Sequence, residues 1–252
     1  MRKALLLGLV VVTAGCGSQA RTTAPPPPST TVAKPKPACT AGEVRSLGSS
    51  TRAYAALAPN GAVAYRTPSG SVLARFKRLN VNDYPAYFGV LAERLGADCQ
   101  ADWYRVQLPI RPNGATGWVR ASALELQAVS MRIVVSVSER RLTFYEHGRR
   151  VLTATVAVGS PATPTPTGRY YVNQRLVPDD TSGPYGPGAL GISAFSPVLT
   201  GWAQGGPVAI HGTNEPWSIG QAVSNGCIRL PNATLSRLFS EVDAGTPVII
   251  RA

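Results

Sequence analysis

A glycine-preceded cysteine, Cys227, lies 16 positions after His211 in a chain that has four cysteines and two histidines. A thiol near an imidazole is the minimum equipment for nucleophilic attack on a carbonyl: the imidazole takes the thiol proton and the sulfur attacks. The neighbouring residues fit that chemistry. The apolar run Pro207–Ile210 reads as a buried strand that delivers His211 at its end. Residues 213–216, Thr-Asn-Glu-Pro, read as a turn. Gly226 permits close backbone approach, and its amide and that of Cys227 are candidates for an oxyanion hole. A lone cysteine is more often inert core than nucleophile, so the pair alone leaves a structural thiol open. One cysteine and one histidine without a clear third ligand fall short of a zinc site. P-loop, dinucleotide and EF-hand signatures are absent.

Three motifs in order decide between these readings. They are Gly159 to Gly168 (Gly-Ser-Pro-Ala-Thr-Pro-Thr-Pro-Thr-Gly), Ile210-His211-Gly212-Thr213, and Ser224-Asn225-Gly226-Cys227-Ile228-Arg229-Leu230. With them, residues 131–252 resemble the L,D-transpeptidase catalytic domain, the YkuD family. The resemblance implies that Cys227 attacks the carbonyl of the third residue of a peptidoglycan tetrapeptide stem. D-alanine then leaves, and the amine of a second stem resolves the thioester. It implies that His211 is the base, oriented through the backbone carbonyl of Gly212, and that no cofactor is used. It extends to carbapenem-type β-lactams as acyl donors for Cys227.

The remaining candidate positions have alternative readings. Arg229 suits a carboxylate-bearing peptide or a structural salt bridge. Ser224 shapes the turn through a local hydrogen bond or is a plain turn residue. Asn225 stands where many family members carry histidine, and it offers hydrogen bonds but no useful titration, which concentrates proton transfer on His211. Tyr185 and Trp217 are candidates for a lid or wall of the cleft, or for the core. His147, in a Glu-His-Gly turn, is expected on the surface.

The other three cysteines are assigned by location. Cys16 ends a short segment with two early positive charges, an apolar run and Ala-Gly-Cys. That segment resembles a lipobox signal, which implies cleavage before Cys16 and its acylation; an ordinary signal peptide cut nearby is the alternative. The exported setting preserves disulfides, so Cys39 and Cys99 are expected to pair and Cys227 to stay free.

Elements that must position the pair are read in four segments. Residues 1–16 are the signal. Residues 17–38, rich in Pro and Thr, form a tether that could extend about 65–70 Å. Residues 39–127 carry short strands and the turn Arg111-Pro112-Asn113-Gly114; part of this stretch resembles a bacterial Src-homology-3-type barrel, read as a wall binder or a scaffold. Tyr87–Leu95 is ambiguous between helix and strand. Residues 128–252 alternate short strands and turns, then place a helix over 231–242 with Leu235, Leu238, Phe239 and Val242 on one face. The fold class is mainly β: an SH3-like barrel followed by a β-sandwich catalytic domain with a short helix after the nucleophile.

The formal charge of +12 comes mostly from arginine. So basic a chain ordinarily points to nucleic acid, but an exported chain meets anionic wall polymers and lipid head groups instead. A merely solvated basic surface is the equal alternative. The expected location is the outer face of the cytoplasmic membrane, lipid-anchored and facing the wall. The function classes left are an L,D-transpeptidase, an L,D-carboxypeptidase on the same site, and an inactive wall-binding lipoprotein.

Overall fold

The computed structural model describes residues 39–252. Cys16 and the tether lie outside the described residues. Two sheets with two separate apolar cores follow one another along the chain.

The first sheet contains β1 (Val44–Ser46), β2 (Ala53–Leu57), β3 (Ala62–Tyr65), β4 (Val72–Phe76), β5 (Tyr87–Leu95), β6 (Ala101–Gln107), β7 (Thr116–Arg120) and β8 (Glu125–Val129). Its order is β4-β3-β7-β6-β5-β2-β8, with β1 also on β5, and every pairing is antiparallel. Alternation turns Ala62 and Ala64 inward with Phe88, Val106 and Leu108. The ambiguous Tyr87–Leu95 stretch is β5, a strand, because β1, β2 and β6 all pair with it. Tertiary pairing overrides its local helix preference. The expected boundary at 127/128 falls inside β8, which pairs with β2 through Val129. Cys39 and Cys99 are disulfide-bonded, with Cα atoms 5.8 Å apart.

The second part contains β9 (Met131–Ser136), β10 (Arg141–Glu146), β11 (Arg149–Thr155), β12 (Val158–Gly159), β13 (Gly168–Leu176), β14 (Ala189–Phe195), β15 (Pro207–His211), β16 (Ala222–Ser224), β17 (Ile228–Arg229), helix α1 (Asn232–Glu241) and β18 (Pro247–Arg251). Eight strands run in one path, β11-β10-β9-β18-β13-β14-β15-β17. The two halves of that path share β13, whose residues 168–171 pair with β18 and whose residues 172–176 pair with β14. Ile133, Val135, Leu142 and Phe144 from one half share a core with Leu190, Ile192, Val208 and Ile210 from the other. The expected sandwich is thus one path whose halves enclose a common core. α1 adds Leu235, Leu238 and Val242 to it, with Phe239 half-buried alongside; Pro231, with its fixed φ, sits just before the first turn.

The two sheets dock tightly. Tyr171 is wholly buried, and its hydroxyl donates to the Tyr87 carbonyl at 2.9 Å. Gly89 lets that ring approach, since a Cβ there would lie 3.2 Å from it. Arg111, in the turn Arg111–Gly114, donates to the carbonyls of Ser196 and Gly205, each at 2.7 Å. Asn113 exchanges two hydrogen bonds with the Phe195 backbone, as a neighbouring strand would.

Candidate active site

Parallel pairing of β15 with β17 places Ile210 opposite Ile228 and His211 opposite Arg229. Both isoleucines point into the core. One more rung puts Cys227 opposite Ala209, so Cys227 and His211 lie diagonally on the other face. The ladder ends there: the Gly226 carbonyl, the next acceptor in register, is taken by the Thr165 hydroxyl at 3.0 Å.

The loop that carries the nucleophile is held on several sides. Ser224, buried, donates to the Cys227 carbonyl at 2.6 Å and accepts from the Gly226 amide at 3.2 Å. Thr163 donates to the Ser224 carbonyl at 2.8 Å. Thr165 also accepts the Gly159 amide at 2.7 Å. Gly226 has φ +106°, a conformation that favours glycine. The Gly226 amide is engaged with the Ser224 hydroxyl. The Cys227 amide has no hydrogen-bond partner among the described residues.

His211 is 4% exposed. Its Nδ1 lies 2.5 Å from the Gly212 carbonyl. A neutral imidazole so held carries its proton on Nδ1 and leaves Nε2 as a lone pair. Burial pushes its pKa down to about 4, aided by the Arg229 charge and opposed by the Gly212 carbonyl. Burial also pushes the Cys227 thiol up, while the Ala209 amide and Arg229 pull it back. At neutral pH the resting pair is therefore thiol and imidazole, both uncharged. Asn232, at the start of α1, accepts the Thr213 amide at 2.7 Å. A Cβ at Gly186 or Gly212 would collide with Asn232, so both glycines let the histidine segment and the 183–188 turn close on it.

Cys227 is half-buried and lines a cleft of about 800 Å³. Asn225 and Tyr185 line the same cleft. The Tyr185 ring stands edge-on to His211 with centroids 5.0 Å apart, and the residue is 51% exposed. Trp217 and Arg229 do not line it. Trp217 sits in a surface turn and is 65% exposed. Arg229 is committed to an ion pair with Glu215. Sequence reading missed Thr163, Thr165 and Asn232 as positioning residues. The signal for the threonines was the alternation Thr163-Pro164-Thr165-Pro166-Thr167, in which the prolines fix the loop that carries the hydroxyls. It also missed Asn82, in the turn between β4 and β5, and Gln174 on β13, which both line the cleft and are hydrogen-bonded to each other.

The family model that describes the YkuD L,D-transpeptidase catalytic domain matches residues 130–250. The YkuD protein of Bacillus licheniformis is 39% identical over 122 residues, covering 48% of this chain and 66% of its own length. YcfS of Escherichia coli K12, described as a probable L,D-transpeptidase, is 30% identical over 146 residues, covering 47% of this chain and 43% of its own. The chain thus spans less than two thirds of these relatives. Among solved structures, the catalytic domain of the E. faecium L,D-transpeptidase aligns with 48% of this chain and 96% of its own at 27% identity and a TM-score of 0.36. Residues 130–250 thus match the YkuD-type L,D-transpeptidase catalytic domain.

Proposed function

We propose that this protein is a cysteine acyltransferase that cross-links peptidoglycan stem peptides as an L,D-transpeptidase. The observation that carries the reading is the shared face of Cys227 and His211 at the end of the β15–β17 ladder, with the thiol opening into the cleft. His211 Nε2 takes the thiol proton as the sulfur bonds to the carbonyl carbon of the third stem residue. The tetrahedral oxyanion faces the Cys227 amide. As it collapses, the C–N bond breaks and His211 returns the proton to the departing D-alanine amine, leaving a thioester. An amine of a second stem attacks that carbonyl, gives up a proton through His211, and releases the thiol. Uncharged resting partners suit this sequence, because the thiolate forms only when a carbonyl is in place to receive it.

Ser224, Thr163 and Thr165 hold the nucleophile loop, and Gly212 and Asn232 hold the imidazole. Arg229 with Glu215 acts at a distance through charge. Asn225 and Tyr185 contact the donor peptide.

The same reading assigns residues 1–16 to a lipoprotein signal and Cys16 to acylation at the outer face of the cytoplasmic membrane. Residues 17–38 are the tether, and the first sheet is an SH3-like domain near anionic wall polymers. The support for these assignments is the residue pattern of the segments themselves.

The deciding experiment incubates residues 39–252 with a tetrapeptide-stem muropeptide and follows products by mass spectrometry. Dimers with released D-alanine are expected. Tripeptide with no dimer means a carboxypeptidase, and unchanged substrate means a binding protein.

A further inference from the structure

The cleft has a floor that runs across four strands. Gln174 on β13 pairs with Gly191 on β14, Gly191 with Ala209 on β15, and the next rung brings Cys227. Residues in one such row point to the same face, and all four line the cleft. The two middle positions are the two smallest residues, so a trough joins Cys227 to Gln174. The Gln174 side chain folds over Gly191 within that trough: a Cβ on Gly191 would meet its Nε2 at 2.7 Å. Strands are spaced about 4.8 Å apart, so an amide above β14 stands roughly 10 Å from the strand of the nucleophile. An extended peptide rises about 3.4 Å per residue. The separation is about three residues.

Gln174 is 7% exposed and its orientation is fixed from the segment that joins β4 to β5. Its Oε1 accepts from Asn80 Nδ2 at 2.8 Å and from Asn82 Nδ2 at 2.9 Å. Two donors on the oxygen leave only the NH2 group to meet a ligand. Asn82 in turn accepts from Gln204 Nε2 at 3.0 Å. The charged side chain on the cleft wall is Asp179, an acid. An anionic ligand group would therefore find no cation there, whereas a neutral carbonyl suits an amide donor.

We propose that Gln174, held by Asn80 and Asn82 of the first domain, donates a hydrogen bond to an amide carbonyl of the donor peptide about three residues before the bond broken at Cys227. The first domain thereby sets donor length. This rests on the reading of the cleft as an L,D-transpeptidase site. The role is a specificity role, separate from the proton transfer at His211.

The test measures binding, by calorimetry, to residues 39–252 carrying C227A, so that no turnover is needed. The probes are an intact tetrapeptide stem and a truncated dipeptide that keeps only the third residue and D-alanine. Gln174→Leu should weaken tetrapeptide binding roughly tenfold and leave dipeptide binding within twofold, the loss expected for one buried hydrogen bond with an unpaired partner. Asn82→Ala, which unlocks rather than removes the donor, should weaken the tetrapeptide by a smaller factor in the same direction. Equal losses on both peptides, or no loss on either, would overturn the proposal. Turnover of the wild-type chain on the tetrapeptide tests the transpeptidase reading separately, so one can fail while the other stands.

Discussion

The two eight-stranded sheets have cores built from different material. The core of the first sheet centres on Ala56, Ala58, Ala62 and Ala64 with Phe88, Val90, Val106, Leu108 and Val119. The core of the second is made mostly of Ile, Leu, Val and aromatic side chains. A buried Leu or Ile contributes about 1.5–3 kcal/mol and an alanine much less. The first domain therefore leans on other supports: the Cys39–Cys99 bridge and the docking of Tyr171 and Gly245 against it. His211 is buried and Cys227 half-buried beside the second, bulkier core. The alanine-cored domain supplies hydrogen bonds to the cleft wall. Division of labour follows core composition.

The largest effect separates chemistry from stability. C227A should abolish the covalent adduct with a carbapenem, read by intact mass, while the melting temperature of the chain shifts by no more than a few degrees. An adduct on another residue would remove Cys227 from its role. Loss of the fold with C227A would mean that the thiol is a core residue after all.

His211 should come next. H211A should slow acylation about 10²–10⁴-fold, the usual worth of a general base, whereas N225A should cost far less because asparagine cannot titrate usefully. The pH profile sharpens this. With the imidazole near pKa 4, the acid limb of acylation should lie near 4 and not at 6.5, followed by a plateau through neutrality where thiol and imidazole are both uncharged. Stability follows the same shift. A histidine depressed in the folded state leaves more protons bound to the unfolded chain between pH 6.5 and 4, so stability falls as pH drops through that window. From about 6.5 to about 4 the loss is on the order of 3 kcal/mol, and H211A should flatten it. An unchanged slope in that variant would place the acid sensitivity elsewhere.

The disulfide tests the weaker core. Its ends are 60 positions apart, and closing a loop of that length is worth about 4 kcal/mol in the chain-entropy model. The double variant C39S/C99S should lower the denaturation midpoint of the first domain by that order. A second domain that melts unchanged in the same scan would show the cores to be thermodynamically separate. A common shift would show that docking couples them.

How much of this was legible follows from distance along the chain. Cys227, His211 and Gly212 lie within one short stretch whose glycines and flanking apolar runs are local signals, so their strands and turns could be read directly. α1 was legible from Leu235, Leu238 and Val242 at helical spacing. The pairing of Cys39 with Cys99 followed from compartment and count. What could not be read is what the sheets bring together from afar. Asn82 meets Gln174 across 92 positions and Arg111 meets Ser196 across 85, and no local pattern marks an asparagine as bound for another domain. The turn Arg111–Gly114 announces a hairpin but not the loop its side chains hold. At Gly226 the freedom at positive φ was visible, but the hydroxyl that accepts from its amide depends on how Ser224 is buried.

The smallest expected effect bears on whether the two domains act as one. Tyr171 is buried at their boundary, and its hydroxyl reaches Tyr87 in the first sheet at 2.9 Å. Y171F keeps the ring against Gly89 and deletes one hydrogen bond, leaving the Tyr87 carbonyl to find another partner. The cost should be about 1 kcal/mol, read as a small, equal drop in the unfolding midpoints of both domains. If only the first domain moved, the boundary would be a surface on which the alanine-cored sheet merely rests. If neither moved, the ring alone would supply the docking, and the hydroxyl would owe its partner to proximity. A shared drop is the outcome that joins the amide cluster to the nucleophile, because Asn80 and Asn82 can fix Gln174 only while the sheets remain docked.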